Sequence, residues 1–146
     1  MIYGIGTDIV AISRMADFWQ RRGEHALEKV LADSEREACR TSSNPARFLA
    51  KRFAAKEALG KALGTGIRPP VSLANIAVDH DALGKPLFAL APELAEHLAA
   101  QQLVAHLSIS DERDIVMAFV VVERIAPAAT GASAAAAMEP NKEALP

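Results

Sequence analysis

The sequence predicts an α+β domain in which antiparallel strands pack with one long central helix. Apolar runs of strand length occur in two pairs, and each pair is joined by a short polar turn, as in antiparallel hairpins. Between the first strand and these hairpins, a helical stretch runs from Pro45 to Gly64 or Gly66. The chain has 146 residues, which suffices for one domain with a hydrophobic core.

The order of the elements follows from periodicity and capping signals. The N-terminal part is predicted as one strand and four helices, at residues 2–10, 14–22, 27–31, 33–40 and 45–64. Isoleucine enrichment favours the strand, and Ser13 can cap the first helix. The C-terminal part is predicted as two hairpins around a helix: a strand within 71–80, a turn at 83–86, a strand at 87–90, a helix at 92–102, and strands at 104–110 and 115–123.

The chain changes character after Ile125. Residues 126–146 are largely alanine, proline, serine and glycine, without an apolar period. Such a segment buries too little surface to offset the entropy lost when it is ordered. The sequence therefore predicts a folded domain over residues 1–125 and a flexible tail over residues 126–146.

Composition narrows the class of protein. Hydrophobic residues make up 51% and charged residues 23% of the chain, as in globular proteins. The net charge of −2 argues against a general nucleic-acid binder, which carries a basic excess. No apolar run approaches the length of a membrane span, and the opening MIYGIGTD lacks the basic start of a signal peptide. Cys39 is the single cysteine, so no internal disulfide can form, and we expect a cytoplasmic protein.

The long helix has an unusual distribution of charge. Five cations and one acid lie on it or at its start: Arg47, Lys51, Arg52, Lys56, Lys61 and Glu57. At 100° per residue these groups fall in several sectors, with apolar residues between them. This distribution suits a helix that packs on more than one side and directs a few polar groups at an anion. The alternative is an ordinary amphipathic helix with a lysine-rich solvent face.

Two carboxylates in apolar or basic surroundings are candidate metal ligands. Asp8 lies within the apolar first strand and needs a partner if it is buried, while Glu57 lies among the helix cations. Mg²⁺ binds through one or two carboxylates plus water and substrate phosphate, and the nearby cations could hold that phosphate. Asp8 could instead cap the turn after its strand. Gly64 and Gly66 could let the backbone approach a ligand or could form a plain helix C-cap.

Other candidates lie on the first helix and on a late strand. Three arginines lie off the apolar stripe of the first helix and form either a solvated face or a docking surface for an acidic partner: Arg14, Arg21 and Arg22. His106 begins a strand and, taken alone, is more often structural than catalytic.

Four segments, in order, resemble one known family. They are GIGTDIV at 4–10, RFAAKEALGKALGTGI at 52–67, GKP at 84–86 and HLSISDER at 106–113. Over roughly residues 1–125 the chain is similar to the holo-acyl-carrier-protein synthases, the small bacterial 4′-phosphopantetheinyl transferases. The resemblance implies magnesium-dependent transfer of 4′-phosphopantetheine from coenzyme A to a serine of apo-acyl carrier protein, with release of adenosine 3′,5′-bisphosphate.

The resemblance also implies roles for individual residues. Asp8 and Glu57 would bind magnesium, and Lys61 would act on the phosphate under attack. Other phosphates of coenzyme A would meet Arg52 and Lys56. The walls of the nucleotide site would be formed by Gly64, Gly66, Pro86, His106, Ser108 and Ser110. A base must take the serine proton, and this base could be Glu57 acting directly or through a water.

Assembly and partners are implied in the same way. The family forms homotrimers with active sites between adjacent subunits, which would explain why the long helix is apolar on several sides. The acidic carrier protein would dock on the arginines of the first helix. Asp111 stands where many members carry a histidine, so no role of that histidine can be transferred, and Asp111 could simply orient a neighbour. The rival hypothesis is a non-catalytic module that binds coenzyme A or a nucleotide, which would not require both metal ligands.

Overall fold

The computed structural model describes residues 1–125, and the predicted tail at 126–146 lies outside them. Eleven elements follow in order: β1 (Ile2–Ala11), α1 (Ile12–Arg22), α2 (Glu24–Val30), α3 (Asp33–Arg40), α4 (Pro45–Leu63), a 3₁₀ turn (Leu73–Asn75), β2 (Ile76–His80), β3 (Pro86–Leu90), α5 (Pro92–Ala100), β4 (Leu103–Asp111) and β5 (Ile115–Arg124). The predicted order of strands and helices is confirmed.

The predicted cap of the first helix is wrong. α1 starts at Ile12 with Ala11 at its N-cap, so Ser13 lies inside the helix and caps nothing. The strand predicted within 71–80 is confirmed at Ile76–His80. Before it, Ser72 accepts a hydrogen bond from the Asn75 amide and so caps a 3₁₀ turn.

The long helix α4 begins and ends as its sequence predicts. The Asn44 side chain accepts a hydrogen bond from the Arg47 amide at 3.0 Å, and Pro45 occupies the first turn. Gly64 ends the helix in the left-handed conformation, at a φ of 74°. Eleven of its 19 residues are buried, and they lie on several sides of the helix. The predicted packing on more than one side is confirmed.

A three-stranded antiparallel sheet, in the order β1-β5-β4, covers α4, while β2 and β3 form a separate two-stranded sheet. Alternation along β5 divides the larger sheet into two faces. Its inner face packs on α4 through fully buried residues such as Val116, Ala118 and Val120. Its outer face exposes apolar side chains instead, among them Ile9, Met117 and Phe119, of which Ile9 is 62% exposed.

The register extends the outer face across all three strands. Thr7 of β1 and Ser108 of β4 both pair with Phe119 of β5, so these three side chains lie on one side. By the same pairing the outer face comprises Ile5, Thr7, Ile9, His106, Ser108, Ser110, Met117, Phe119 and Val121. Among residues 1–125, no helix is long and apolar enough to cross a bilayer.

A buried ion pair joins the elements on the other side of α4. The Lys56 ammonium is fully buried and donates hydrogen bonds to Glu35 Oε2 at 2.6 Å and to the carbonyls of Val30 and Leu73 at 2.7 and 2.9 Å. Glu35 also accepts from the Val78 amide at 2.8 Å. Burial lowers the pKa of Lys56 to about 8, although the charge of Glu35 opposes that shift. This pair therefore holds α2, α3, α4 and β2 together.

Glu35→Gln should destabilise the fold strongly, because it leaves the Lys56 ammonium buried without a counter-charge. The expected loss is about 3–5 kcal/mol in the free energy of unfolding, measured by chemical denaturation. Glu24→Gln is the matched control, because Glu24 pairs with Arg40 at 2.6 Å on the exposed surface and should contribute little. Equal effects of the two substitutions would contradict a structural role for the buried pair.

Candidate active site

Strand β1 lies directly against α4 because two of its residues have no side chain. A Cβ atom on Gly6 would lie 2.6 Å from the backbone nitrogen of Ala62, and one on Gly4 would overlap the Ala62 carbonyl. No real Cβ atom sits so close to backbone, so both positions require glycine. This contact sets the position of Asp8, which follows two residues later on the same inner face and pairs with the buried Ala118.

Asp8, Glu57 and Lys61 come together where β1 crosses α4. The Lys61 ammonium donates to Asp8 Oδ1 and to the Thr7 carbonyl, both at 2.9 Å. Glu57 lies one helical turn before Lys61 and faces the same region. Burial is the main cause that raises the pKa of Glu57, and the negative charge of Asp8 raises it further. The positive charges of Lys61 and Arg14 oppose this shift. Two nearby carboxylates that repel each other are stabilised when a cation is added.

The donor set of this site fits a hard divalent cation. Within residues 1–125, no three His, Cys, Asp or Glu side chains are grouped as a complete metal site. The site therefore offers two carboxylates, those of Asp8 and Glu57. Mg²⁺ commonly binds in this way, because it retains several waters and takes the remaining oxygens from substrate phosphates. The predicted metal ligands are thus chemically suitable, and the Lys61 ammonium is half-exposed beside them.

Lys56 does not have the surroundings that were predicted for it. It was expected to meet a phosphate of coenzyme A, yet its side chain is fully buried and its three N–H groups already have acceptors. The expected role is corrected on this ground, because an anion could reach Lys56 only if the core opened. The alternation of apolar and basic residues along the helix sequence does not distinguish a buried lysine from an exposed one.

Arg52 is also largely buried but borders a cavity. Its guanidinium lies over the Phe48 ring, 4.3 Å from the centroid, and its Nε is 3.1 Å from Glu35 Oε1. That contact is ionic and poorly aligned for a hydrogen bond, because Nε has no hydrogen-bond partner. A cavity of about 250 Å³ opens beside Arg52 and is also lined by Ser34 and His80. The prediction that Arg52 meets a phosphate stays a prediction.

The implied nucleotide-site residues do not all join this centre within one chain. Gly64 and Gly66 follow Lys61 at the end of α4 and adopt φ values of 74° and 62°. Pro86 begins β3 in the separate sheet. Three residues of β4 lie on the outer face, opposite to Asp8: His106, Ser108 and Ser110. His106 Nε2 pairs there with Glu123 Oε2 at 2.8 Å.

A second cavity lies beside α1. Arg14 and Arg21 line a space of about 410 Å³, and the Arg14 guanidinium lies 5.5 Å from the centre of the Phe53 ring. Arg22 is exposed on the same helix but does not line the cavity. Lys29 and Phe53 also line it and were not identified from the sequence. The one available signal was that Phe53 lies one helical turn before Glu57.

Comparison with known proteins establishes the family. The chain matches a family model described as the 4′-phosphopantetheinyl transferase superfamily over residues 4–120. The chain belongs to this superfamily. The family predicted from the four sequence segments is therefore confirmed.

Individual phosphopantetheinyl transferases of the superfamily are similar over most of the chain. A holo-[acyl-carrier-protein] synthase of Azoarcus sp. (strain BH72) is 59% identical over 123 residues, which cover 84% of this chain and 98% of that protein. The crystal structure of the Neisseria meningitidis holo-[acyl-carrier-protein] synthase has a TM-score of 0.81 and 48% identity, and covers 84% of this chain and 99% of that one. The Helicobacter pylori synthase in complex with coenzyme A has a TM-score of 0.70 and 32% identity, and covers 82% and 99%.

Gly6→Ala should separate β1 from α4, because the added methyl group meets backbone atoms that cannot move aside. We expect a loss of about 1–3 kcal/mol in the free energy of unfolding, measured by denaturation. Thr7→Ala is the matched control on the same strand, since Thr7 is exposed and points away from α4. A Gly6→Ala variant as stable as Thr7→Ala would contradict the close packing of β1 on α4.

Proposed function

We propose that this chain transfers 4′-phosphopantetheine from coenzyme A to a serine hydroxyl of apo-acyl carrier protein, with release of adenosine 3′,5′-bisphosphate. The observation that carries the proposal is the junction of β1 and α4, which joins two carboxylates and a half-exposed lysine in one site. Family membership supports the same reaction. Relatives named as holo-[acyl-carrier-protein] synthases, at 50–59% identity, support it further.

Asp8 and Glu57 hold a magnesium ion in this proposal. When bound, the ion would neutralise negative charge on the phosphate oxygens of coenzyme A. Lys61 supplies a further positive charge: its ammonium, now 2.9 Å from Asp8 Oδ1, is exposed enough to turn to the phosphate that the serine attacks. Phosphoryl transfer depends on such positioning and charge stabilisation.

The serine proton must leave as its oxygen attacks phosphorus. Glu57 is the proposed acceptor, directly or through a water that it orients, because it lies one helical turn before Lys61, the residue proposed to meet the phosphate under attack. Adenosine 3′,5′-bisphosphate leaves as the P–O bond to its phosphate breaks.

A homotrimer with sites between subunits completes the proposal. Asp8 lies on the inner face of the sheet, and Ser108 and Ser110 lie on the outer face. Side chains on opposite faces of one sheet point away from each other, so a second copy has to bring its outer face to the first copy's carboxylates. Exposed Met117 and Phe119 support this arrangement, because apolar outer faces of this kind are usually covered by another subunit.

The acidic carrier protein docks beside α1 in this proposal. Arg14, Arg21 and Arg22 supply the exposed positive charge, and Lys29 adds to it. The apolar rings of Phe18 and Phe53 line the cavity together with Arg14, Arg21 and Lys29, and the charge of Arg14 is close enough to Glu57 to lower the pKa of that carboxyl. A serine presented here would be close to the carboxylate site.

Mass spectrometry tests the reaction directly. Purified chain is mixed with an apo-acyl carrier protein, coenzyme A and magnesium. The carrier should gain about 340 Da, the mass of the transferred group, in a phosphoryl transfer of this type. An unmodified carrier, with coenzyme A still bound by the chain, would instead favour the non-catalytic binding module.

Glu57→Gln should abolish transfer and leave the fold intact, because the neutral amide binds Mg²⁺ much more weakly than the carboxylate and does not accept the serine proton. The measurement is carrier modification at increasing magnesium concentration, with thermal unfolding as the folding control. Glu96→Gln on the exposed side of α5 is the matched variant and should retain full activity. Full turnover by Glu57→Gln would reject the metal-site assignment.

Arg14→Gln should raise the KM for carrier protein several-fold and leave the KM for coenzyme A unchanged, because it removes one docking charge. The effect should shrink at high salt, since exposed charges are screened. Arg40→Gln removes another exposed cation, on α3, and should change neither constant. An equal rise in both constants for Arg14→Gln would reject α1 as the docking surface.

A further inference from the structure

The turn between β4 and β5 is fastened to the first turns of α4. The Arg47 guanidinium pairs with the Asp111 carboxylate and donates to the carbonyls of Glu112 and Arg113, both at 3.0 Å. Lys51, one helical turn later, places its ammonium 2.8 Å from Asp111 Oδ1. Two cations of α4 thus converge on one carboxylate at the end of β4, and one of them also binds the turn backbone.

Asp111 reaches α4 because of its place in the sheet. It pairs with Val116, which is fully buried on the inner face, so the Asp111 side chain lies on the α4 side of β4. The preceding residue, Ser110, pairs with Met117 and lies on the outer face. Neighbouring residues of β4 therefore have opposite surroundings: Asp111 is fixed to the helix of its own subunit, and Ser110 faces outward.

Both ends of this connection are themselves held in place. The backbone of Arg47 is fixed by the Asn44 cap, and the turn is tied to α1 by a hydrogen bond of 2.9 Å from the Ile12 amide to the Asp114 carbonyl. The three charged side chains are only 24–34% exposed, so they are less screened than an open surface pair. The hydrogen bond from Lys51, and to a smaller extent that from Arg47, lowers the pKa of Asp111, so this carboxylate stays ionised at neutral pH.

We propose that Asp111 and Arg47 are positioning residues for coenzyme A binding. They fix the end of β4 to α4. In this way they hold the outer face of β4, with Ser108 and Ser110, in the orientation that receives the nucleotide end of coenzyme A. This inference rests on the proposed function, because it assigns the outer face of β4 to the coenzyme A site. Neither residue points to the outer face, so each acts through the strand and not by contact with the ligand.

A positioning role has a kinetic signature that differs from simple loss of stability. Asp111→Asn removes the ionic part of both contacts and should raise the KM for coenzyme A about five- to tenfold, equivalent to roughly 1–1.4 kcal/mol of binding. The kcat and the KM for carrier protein should stay within about twofold, because Asp8, Glu57 and the α1 surface are untouched. Asp111→Glu keeps the charge and should restore most of the affinity for coenzyme A.

Two further measurements identify the connection itself. The double variant Arg47→Gln/Asp111→Asn should raise the KM for coenzyme A by less than the product of the two single effects, because both substitutions break the same contact. Hydrogen exchange at the Glu112 amide, which bonds to the Ile115 carbonyl at 3.0 Å, should quicken in Asp111→Asn. Glu24→Gln breaks an exposed pair far from β4 and is the control for both readouts.

The outcomes separate this inference from the proposed function. An active wild-type chain with an unchanged KM for coenzyme A in Asp111→Asn would overturn the positioning role and leave the function standing. Additive effects in the double variant would also overturn it. A wild-type chain that modifies no carrier would refute the proposed function instead. If Asp111→Asn does not fold, Asp111→Glu with an affinity far below wild type would be the contradicting result.

Discussion

The whole arrangement depends on the direct contact between the backbone of β1 and α4. Gly4 and Gly6 remove the side chains that would keep strand and helix apart. The carboxylate of Asp8 is thereby held beside Glu57 and Lys61, although these residues are about fifty positions apart in the chain. One packing constraint thus forms both the core and the candidate active site, and the glycines of the first strand are structural requirements as well as parts of a family motif.

Some charged side chains of α4 stabilise the fold, and others belong to the proposed active site. Lys56 is paired with Glu35 in the core, and this pair connects α2, α3, α4 and β2. Lys61 faces the carboxylate site, and Arg47 and Lys51 hold the turn after β4. A single helix can serve these separate purposes because it is packed on several sides, and each side meets a different part of the chain. The even spread of charge around the helix reflects this division.

Much of this could be predicted from the sequence. Periodicity and the signals at Pro45 and Gly64 predicted both ends of the long helix nearly to the residue, because local sequence signals decide where a helix begins and ends. The family was identified from four segments and confirmed. The role of Lys56 was not predictable, since its burial depends on Glu35, which is distant in sequence and gave no sign of pairing. The order of helices and strands determines neither the oligomeric state nor the cellular location, so the trimer and the cytoplasmic location stay predictions.

The central claim is that each active site needs the inner face of one subunit and the outer face of another. Mixing two inactive chains tests it most directly: Glu57→Gln lacks the inner carboxylate, and His106→Ala/Ser110→Ala lacks the outer-face residues. Random mixed trimers should recover roughly a quarter of wild-type transfer, because about one site in four combines two intact faces. Mixed trimers that form yet transfer no phosphopantetheine would contradict the account.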